Sequence, residues 1–263
     1  MTQSNAPSSS GNDRPAVLIT GAGKRIGAAI ARHFGENGWH VVIHCHHSHG
    51  AAETLAGALP SAETVRCDLA QSGAGVKMIE ELATRLPDWR VLINSASIFP
   101  PDDVTGLSSK VFAETMQVNA KAPVRMAQAF LRCARAATGR RVIQITDQKV
   151  ANPNPDFFSY TMSKHALAAT VPMMGMAAGS DDRVYAIAPG AILPSHDQTA
   201  DEAESSHRMN LLHRRTAPQE IADTALFLAS GVLDSGQTVF VDSGQHLVPQ
   251  PRDVLYLARE DSA

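Results

Sequence analysis

Val17-Leu18-Ile19-Thr20-Gly21-Ala22-Gly23-Lys24-Arg25-Ile26-Gly27 runs from a short apolar segment of strand type straight into a glycine-rich turn. Beyond it Ile26, Ala29, Ile30, His33 and Phe34 recur at helical spacing. Strand, glycine-rich turn and helix in that order form the context of a dinucleotide-binding fingerprint. Gly21 and Gly23 let the backbone turn tightly and approach a pyrophosphate. The free amides and dipole of the first helical turn, at Ile26 and Gly27, then hold the anion.

The rest of the chain alternates in the way such a unit requires. Strand-like runs occupy residues 16–20, 39–44, 63–67, 91–94, 141–146, 183–187 and 238–241. Helical patterns occupy residues 25–37, 51–59, 75–86, 110–137, 157–178 and 218–228. Right-handed crossovers between parallel strands follow. The expectation is a single α/β domain over residues 14–247: a Rossmann-type, doubly wound parallel sheet of about seven strands with helices on both faces. Residues 1–13, rich in Ser, Asn and Gly, are expected to be a disordered leader, and residues 248–263 a tail that reaches a neighbouring subunit or frays. Residues 192–212, polar and rich in His, Asp, Glu and Ser, predict a long irregular insertion, either a lid or a surface excursion.

Composition removes several function classes. The net charge is −3 and the basic residues are dispersed, so no nucleic-acid surface is expected. No stretch reaches the ~20 apolar residues of a membrane span. Three scattered cysteines, Cys45, Cys67 and Cys133, predict reduced thiols in a cytoplasmic protein rather than a disulfide framework.

The chemistry concentrates in Ser159-Tyr160-Thr161-Met162-Ser163-Lys164. Positions four apart share a helix face, so Tyr160 and Lys164 point into one site. A phenol ordinarily titrates near ~10, and an ammonium one turn away is expected to lower that value until the group can pass a proton. The bland alternative is a solvated helix face with an accidental pair.

Together these residues resemble the short-chain dehydrogenase/reductase family, over about residues 15 to 247. Further matches fall in the family's order: Asp68-Leu69, Asn94-Ser95-Ala96-Ser97, Asn119, Ala188-Pro189-Gly190 and the closing strand Gln237 to Gly244. The resemblance implies that Tyr160 supplies a proton and that Lys164 lowers its pKa and holds the nicotinamide ribose. It implies too that Asn119 kinks its helix and holds a relaying water. Asp68 and Leu69 would meet the adenine, and Asn94, Ser95, Ala96, Pro189 and Gly190 would complete the cofactor site.

One departure is informative. Thirteen residues before the tyrosine the family places a serine, and here that position is Asp147. A carboxylate would repel the charge developing on a ketone oxygen. It suits a reacting nitrogen that gains a proton, as in reduction of a C=N bond; alternatively, protonated Asp147 coupled to Tyr160 delivers the proton itself. Asp147, Arg25 in place of the family's middle glycine, and Asn94-Ser95-Ala96-Ser97-Ile98-Phe99 resemble the pteridine reductases, including the bacterial dihydromonapterin/dihydrofolate reductases. That likeness implies a pterin pocket lined by Ser97 and Phe99, with Arg25 on phosphate or substrate. It implies an NADPH-dependent reductase of a dihydropterin or dihydrofolate. The alternatives are a carbonyl or imine reductase acting on another small substrate, and an inactive NADP(H)-binding regulator, against which intact Tyr160, Lys164 and Asn119 count.

Cofactor choice is legible in His44-Cys45-His46-His47-Ser48-His49 at the end of the second strand. An NAD enzyme places an acid there for the ribose 2′-hydroxyl. None is present, and His46, His47 and Ser48 can donate to a 2′-phosphate, with Arg25 near the same corner. A metal site in this cluster would need ligands converging from elsewhere, and none is expected. In the family the helices matching residues 110–137 and 157–178 form a dimer seam, and the last helix and strand a second interface, so a homotetramer is expected.

Overall fold

The computed structural model of the chain describes residues 14–194 and 198–260. The expected leader lies outside the described residues. Seven strands form one parallel sheet in the order β3-β2-β1-β4-β5-β6-β7. They are β1 (Ala16–Ile19), β2 (His40–Cys45), β3 (Ala62–Arg66), β4 (Trp89–Asn94), β5 (Arg141–Ile145), β6 (Arg183–Pro189) and β7 (Thr238–Val241). A doubly wound sheet is buried on both faces, so its central strands are continuously apolar. Val17 and Ile19 point into one core while Ala16 and Leu18 point into the other.

Helices α1 (Arg25–Glu36) and α8 (Pro218–Ala229) cover the first face through Ile30, Phe34, Ile221 and Leu228. On the second face lie α3 (Ala74–Arg85), α5 (Ala122–Cys133) and α6 (Phe158–Ala177), through Met78, Leu82, Met126, Phe130 and Val171. Helix α2 (His49–Ala58) flanks the β2–β3 edge. The strand order reverses between β1 and β4, which opens a crevice at the carboxyl ends of those strands.

Three expectations are revised. The helical pattern over residues 110–137 is not one helix: α4 (Ser109–Met116) passes through a π-helical turn, Gln117–Lys121, into α5. Pro123 has no N–H to give the carbonyl four residues back, on Asn119, so the regular ladder fails there. The 192–212 segment is not wholly irregular either. It contains α7 (Ala200–Ser206), started by a reciprocal capping box between Thr199 and Glu202. The tail folds back on its own chain as α9 (Val254–Glu260), packed against α7 with Arg259 Nε 3.3 Å from Glu202 Oε1.

Candidate active site

The cleft sits where β1 and β4 diverge. Gly21 holds a left-handed φ of 67°, and a Cβ there would lie 2.8 Å from the Ala96 Cα. A Cβ on Gly27 would meet the Gly21 carbonyl at 2.6 Å, so the turn closes only with hydrogen at both positions. Arg25 takes φ 57° where the family has glycine, and its guanidinium donates to the carbonyls of Leu193 (3.3 Å) and Pro194 (2.9 Å). It ties the glycine-rich turn to the segment that follows β6.

Two residues missed in the sequence fix this corner. Thr20 Oγ1 accepts from the backbone N–H of Ser95 and of Ala96, both at 3.0 Å. His44 accepts the Gly21 N–H at Nδ1 (3.1 Å) and donates from Nε2 to the Cys67 carbonyl (3.0 Å). Burial lowers its pKa to about 4, so the ring is neutral and ties the glycine-rich turn to the segment after β3.

Asp147 leaves β5 and caps a short 3₁₀ turn, Gln148–Val150. Its Oδ1 accepts the Lys149 N–H at 2.9 Å and its Oδ2 accepts the Tyr160 hydroxyl at 2.7 Å. Lys164 donates to the Ile145 carbonyl at 2.8 Å and stands 5.4 Å from the Tyr160 ring centroid. The electrostatics reverse the expected sign at the tyrosine. Burial, then the charge of Asp147 and its hydrogen bond, push the phenol well above its ordinary range. Burial also lowers Lys164 to about 8, opposed by attraction to Asp147. Asp147 itself is raised by burial against the pull of the Lys149 N–H, the Tyr160 hydroxyl and the Lys149 and Lys164 charges. Carboxyl and phenol therefore share a site that favours the proton, and the carboxyl is the stronger acid of the two.

Phe99 stacks on Phe157 with centroids 3.9 Å apart and meets the Tyr160 ring edge-on at 4.4 Å. Its exposed edge and the exposed Ser97 border the same space. Except for Asn94 and Asn119, every site residue singled out from the sequence lines this one cleft of about 640 Å³. Asn94, expected beside the cofactor, is buried behind it and donates to the Pro123 carbonyl (3.2 Å) and Gln144 Oε1 (3.0 Å). Asn119 lies in the π turn, exchanges hydrogen bonds with the Ile98 backbone at 2.9 and 2.8 Å, and donates to Ser163. It holds the loop that carries Ser97 and Phe99.

Lys149, Asp253, Val254 and Leu255 also line the cleft, as do Gln198, Ser206 and His207 from the segment between β6 and α8. Nothing local in the sequence placed the tail residues there.

The donor set fits a phosphorylated dinucleotide. Helix α1 starts without a side-chain cap and without an acid in its first turn, leaving its amides to an anion. At the far corner the His46 and His47 rings lie 3.6 Å apart beside Ser48, with His46 Nδ1 3.7 Å from Asp68 Oδ1. His44 is committed to backbone on both nitrogens, and among the described residues no group of three potential metal ligands forms.

A family model described as enoyl-(acyl carrier protein) reductase matches residues 21–246. The chain belongs to the short-chain dehydrogenase/reductase family. It is 28% identical over 237 residues to a dihydromonapterin reductase of Citrobacter koseri, covering 88% of this chain and 96% of that protein. A ketoacyl reductase of granaticin polyketide synthesis in Streptomyces violaceoruber is 26% identical over 244 residues, covering 90% and 98%. The crystal structure of FolM alternative dihydrofolate reductase 1 from Brucella canis, complexed with NADP, superposes with a TM-score of 0.84 at 32% identity, covering 91% of this chain and 96% of that one. This family member thus has relatives named both for pterin or folate reduction and for ketoacyl reduction.

Proposed function

We propose that the protein is an NADPH-dependent reductase that transfers hydride to the C=N bond of a dihydropterin or dihydrofolate. The observation that carries this reading is the 2.7 Å bond from the Tyr160 hydroxyl to Asp147 Oδ2 in a buried site. NADPH, when bound, supplies the hydride that reaches the imine carbon. The proton for the imine nitrogen comes from the Asp147–Tyr160 pair, which regains it from solvent. Lys164 holds its ammonium against the Ile145 carbonyl, where a ribose hydroxyl can reach it. The first turn of α1 binds the pyrophosphate, and His46, His47 and Ser48 hold the 2′-phosphate. Phe99, stacked on Phe157, offers an aromatic edge to a flat heterocycle, and such edge-to-face contacts add ~1 kcal/mol beyond area burial. The names of the Citrobacter and Brucella relatives support the pterin or folate substrate.

Among the described residues no helix is long and apolar enough to cross a membrane. We place the enzyme in the cytoplasm, as a homotetramer. Helix α6 presents Met162, Met173 and Met176 to solvent in the single chain, apolar surface that subunit pairing would cover. The test is NADPH oxidation with dihydrobiopterin, dihydrofolate and a set of activated ketones. Turnover of the pterins is expected; turnover of ketones alone would transfer the protein to the ketone-reducing branch of the family.

A further inference from the structure

A lysine outside the family's catalytic set lies two residues after Asp147 and is almost fully buried, at 3% exposure. Its backbone N–H donates to Asp147 Oδ1 at 2.9 Å. Its ammonium donates to Asn154 Oδ1 and pairs with Asp253 Oδ2, each at 2.8 Å. Asp253 arrives from the C-terminal segment and is locked there. Its Oδ1 accepts the Leu255 N–H at 3.0 Å, and its own N–H donates to Asp156 Oδ2 at 2.8 Å. Asp156 also clamps the Arg252 guanidinium at 2.8 to 3.1 Å, and Phe157 stacks on Tyr256. The result is a buried chain of charge, Tyr160–Asp147–Lys149–Asp253, along one wall of the cleft.

Stability is a weak reason to bury an ion pair, because desolvation offsets most of the attraction. Position is the better reason. We propose that Lys149 and Asp253 are positioning residues that set how tightly Asp147 holds its proton: Lys149 through its charge and its N–H, Asp253 by neutralising Lys149. The electrostatics of the site agree, since Lys149 pulls the Asp147 carboxyl down against burial and Asp253 pushes the Tyr160 phenol up. The other groups facing the pair are Lys164 and His165 on α6 and the Asp156–Arg252 bridge. None of them changes in the variants below, so opposite shifts isolate the two residues named.

Removing the positive charge with Lys149→Met leaves Asp253 unopposed and makes Asp147 a weaker acid. Asp253→Asn leaves the Lys149 charge unopposed and makes it a stronger one. Full-length protein carrying ¹³C-carboxyl aspartate, with the Asp147 resonance assigned by its loss in Asp147→Asn, reports the titration directly and needs no substrate. The midpoint should rise by about one pH unit in Lys149→Met, fall by about one in Asp253→Asn, and return near wild type in the double variant. Under the pterin-reductase reading on which the kinetic arm rests, the alkaline limb of kcat/KM moves with the midpoint. A purely structural role would lower turnover or thermal stability and leave the midpoints still. Shifts in the same direction, or an unmoved midpoint in Asp253→Asn, overturn the proposal even if Lys149→Met does not fold. Pterin inactivity in wild type with opposite shifts intact would overturn the proposed substrate instead.

Discussion

The Tyr160 hydroxyl donates to Asp147 Oδ2 at 2.7 Å, so the tyrosine faces a carboxyl inside the cleft. Two acids at hydrogen-bond distance in a buried site cannot both ionise near neutrality. The proton they share is suited to a nitrogen that becomes basic as hydride arrives, and a carboxylate there opposes a developing alkoxide.

Asp147→Ser recreates the ordinary family site and should separate the two chemistries. Dihydropterin reduction should fall at least ~10-fold, about 1.4 kcal/mol of transition-state stabilisation. Turnover of small activated ketones should hold or rise. Steady-state kcat/KM on both substrates checks this, and equal losses on both would remove Asp147 from the discrimination.

Asp147 also makes a stability test. Its folded pKa is raised by burial, so between the ordinary carboxylate range and that raised value the folded state holds more protons than the unfolded. Stability contributed here is present at low pH and is lost as pH rises through that window. Asp147→Asn cannot ionise. It should therefore melt higher than wild type at pH 8, with the gap closing as the pH falls towards the carboxylate range, as followed by differential scanning fluorimetry.

His44 gives the opposite sign. Its folded pKa is lowered from 6.5 to about 4 by burial, so the unfolded state binds the extra proton between those values. Its stability is full above pH 6.5 and is lost as pH falls through about 4. The loss is of order 3 kcal/mol at the acid end. His44→Gln, which can keep both hydrogen bonds, should melt with a flatter dependence over that interval. An unchanged slope would show that His44 is not the group responsible.

His47→Asp restores an acid to the corner where NAD enzymes carry one. The acid repels a 2′-phosphate and accepts from a 2′-hydroxyl. The variant should bind NADPH at least ~10-fold more weakly, equivalent to ~1.4 kcal/mol, while NADH affinity holds or improves. Fluorescence titration with each cofactor reads this out. Unchanged NADPH affinity would move recognition to Arg25 or Ser48.

Arg252→Ala breaks the bridge to Asp156 that seats the tail. The bridge is partly exposed, so global stability should change little. The tail should become sensitive to limited proteolysis, and kcat/KM should fall together with it. Protection equal to wild type would mean that the Asp156–Arg252 bridge is not what seats the tail.

Much of this protein is written locally in its sequence. A run of strand type, a glycine turn and a helical repeat fix β1, α1 and the anion-binding corner, because each depends on neighbours within a few residues. The four-residue spacing of Tyr160 and Lys164 fixes their shared face through helix geometry alone. Asp147 stands out from the sequence alone by its type and its position thirteen residues before Tyr160. Three things were decided by packing. The π turn at Asn119 follows from a proline the pattern of apolar residues does not register. The tail's return to the cleft depends on Asp156 and Arg252 meeting across the fold. The sign of the shift at Tyr160 depends on burial and on a carboxyl at 2.7 Å, which outweigh the lysine one turn away. Charges act through space and are strengthened by the exclusion of water, so what titrates, and in which direction, is settled only when the chain has closed around it.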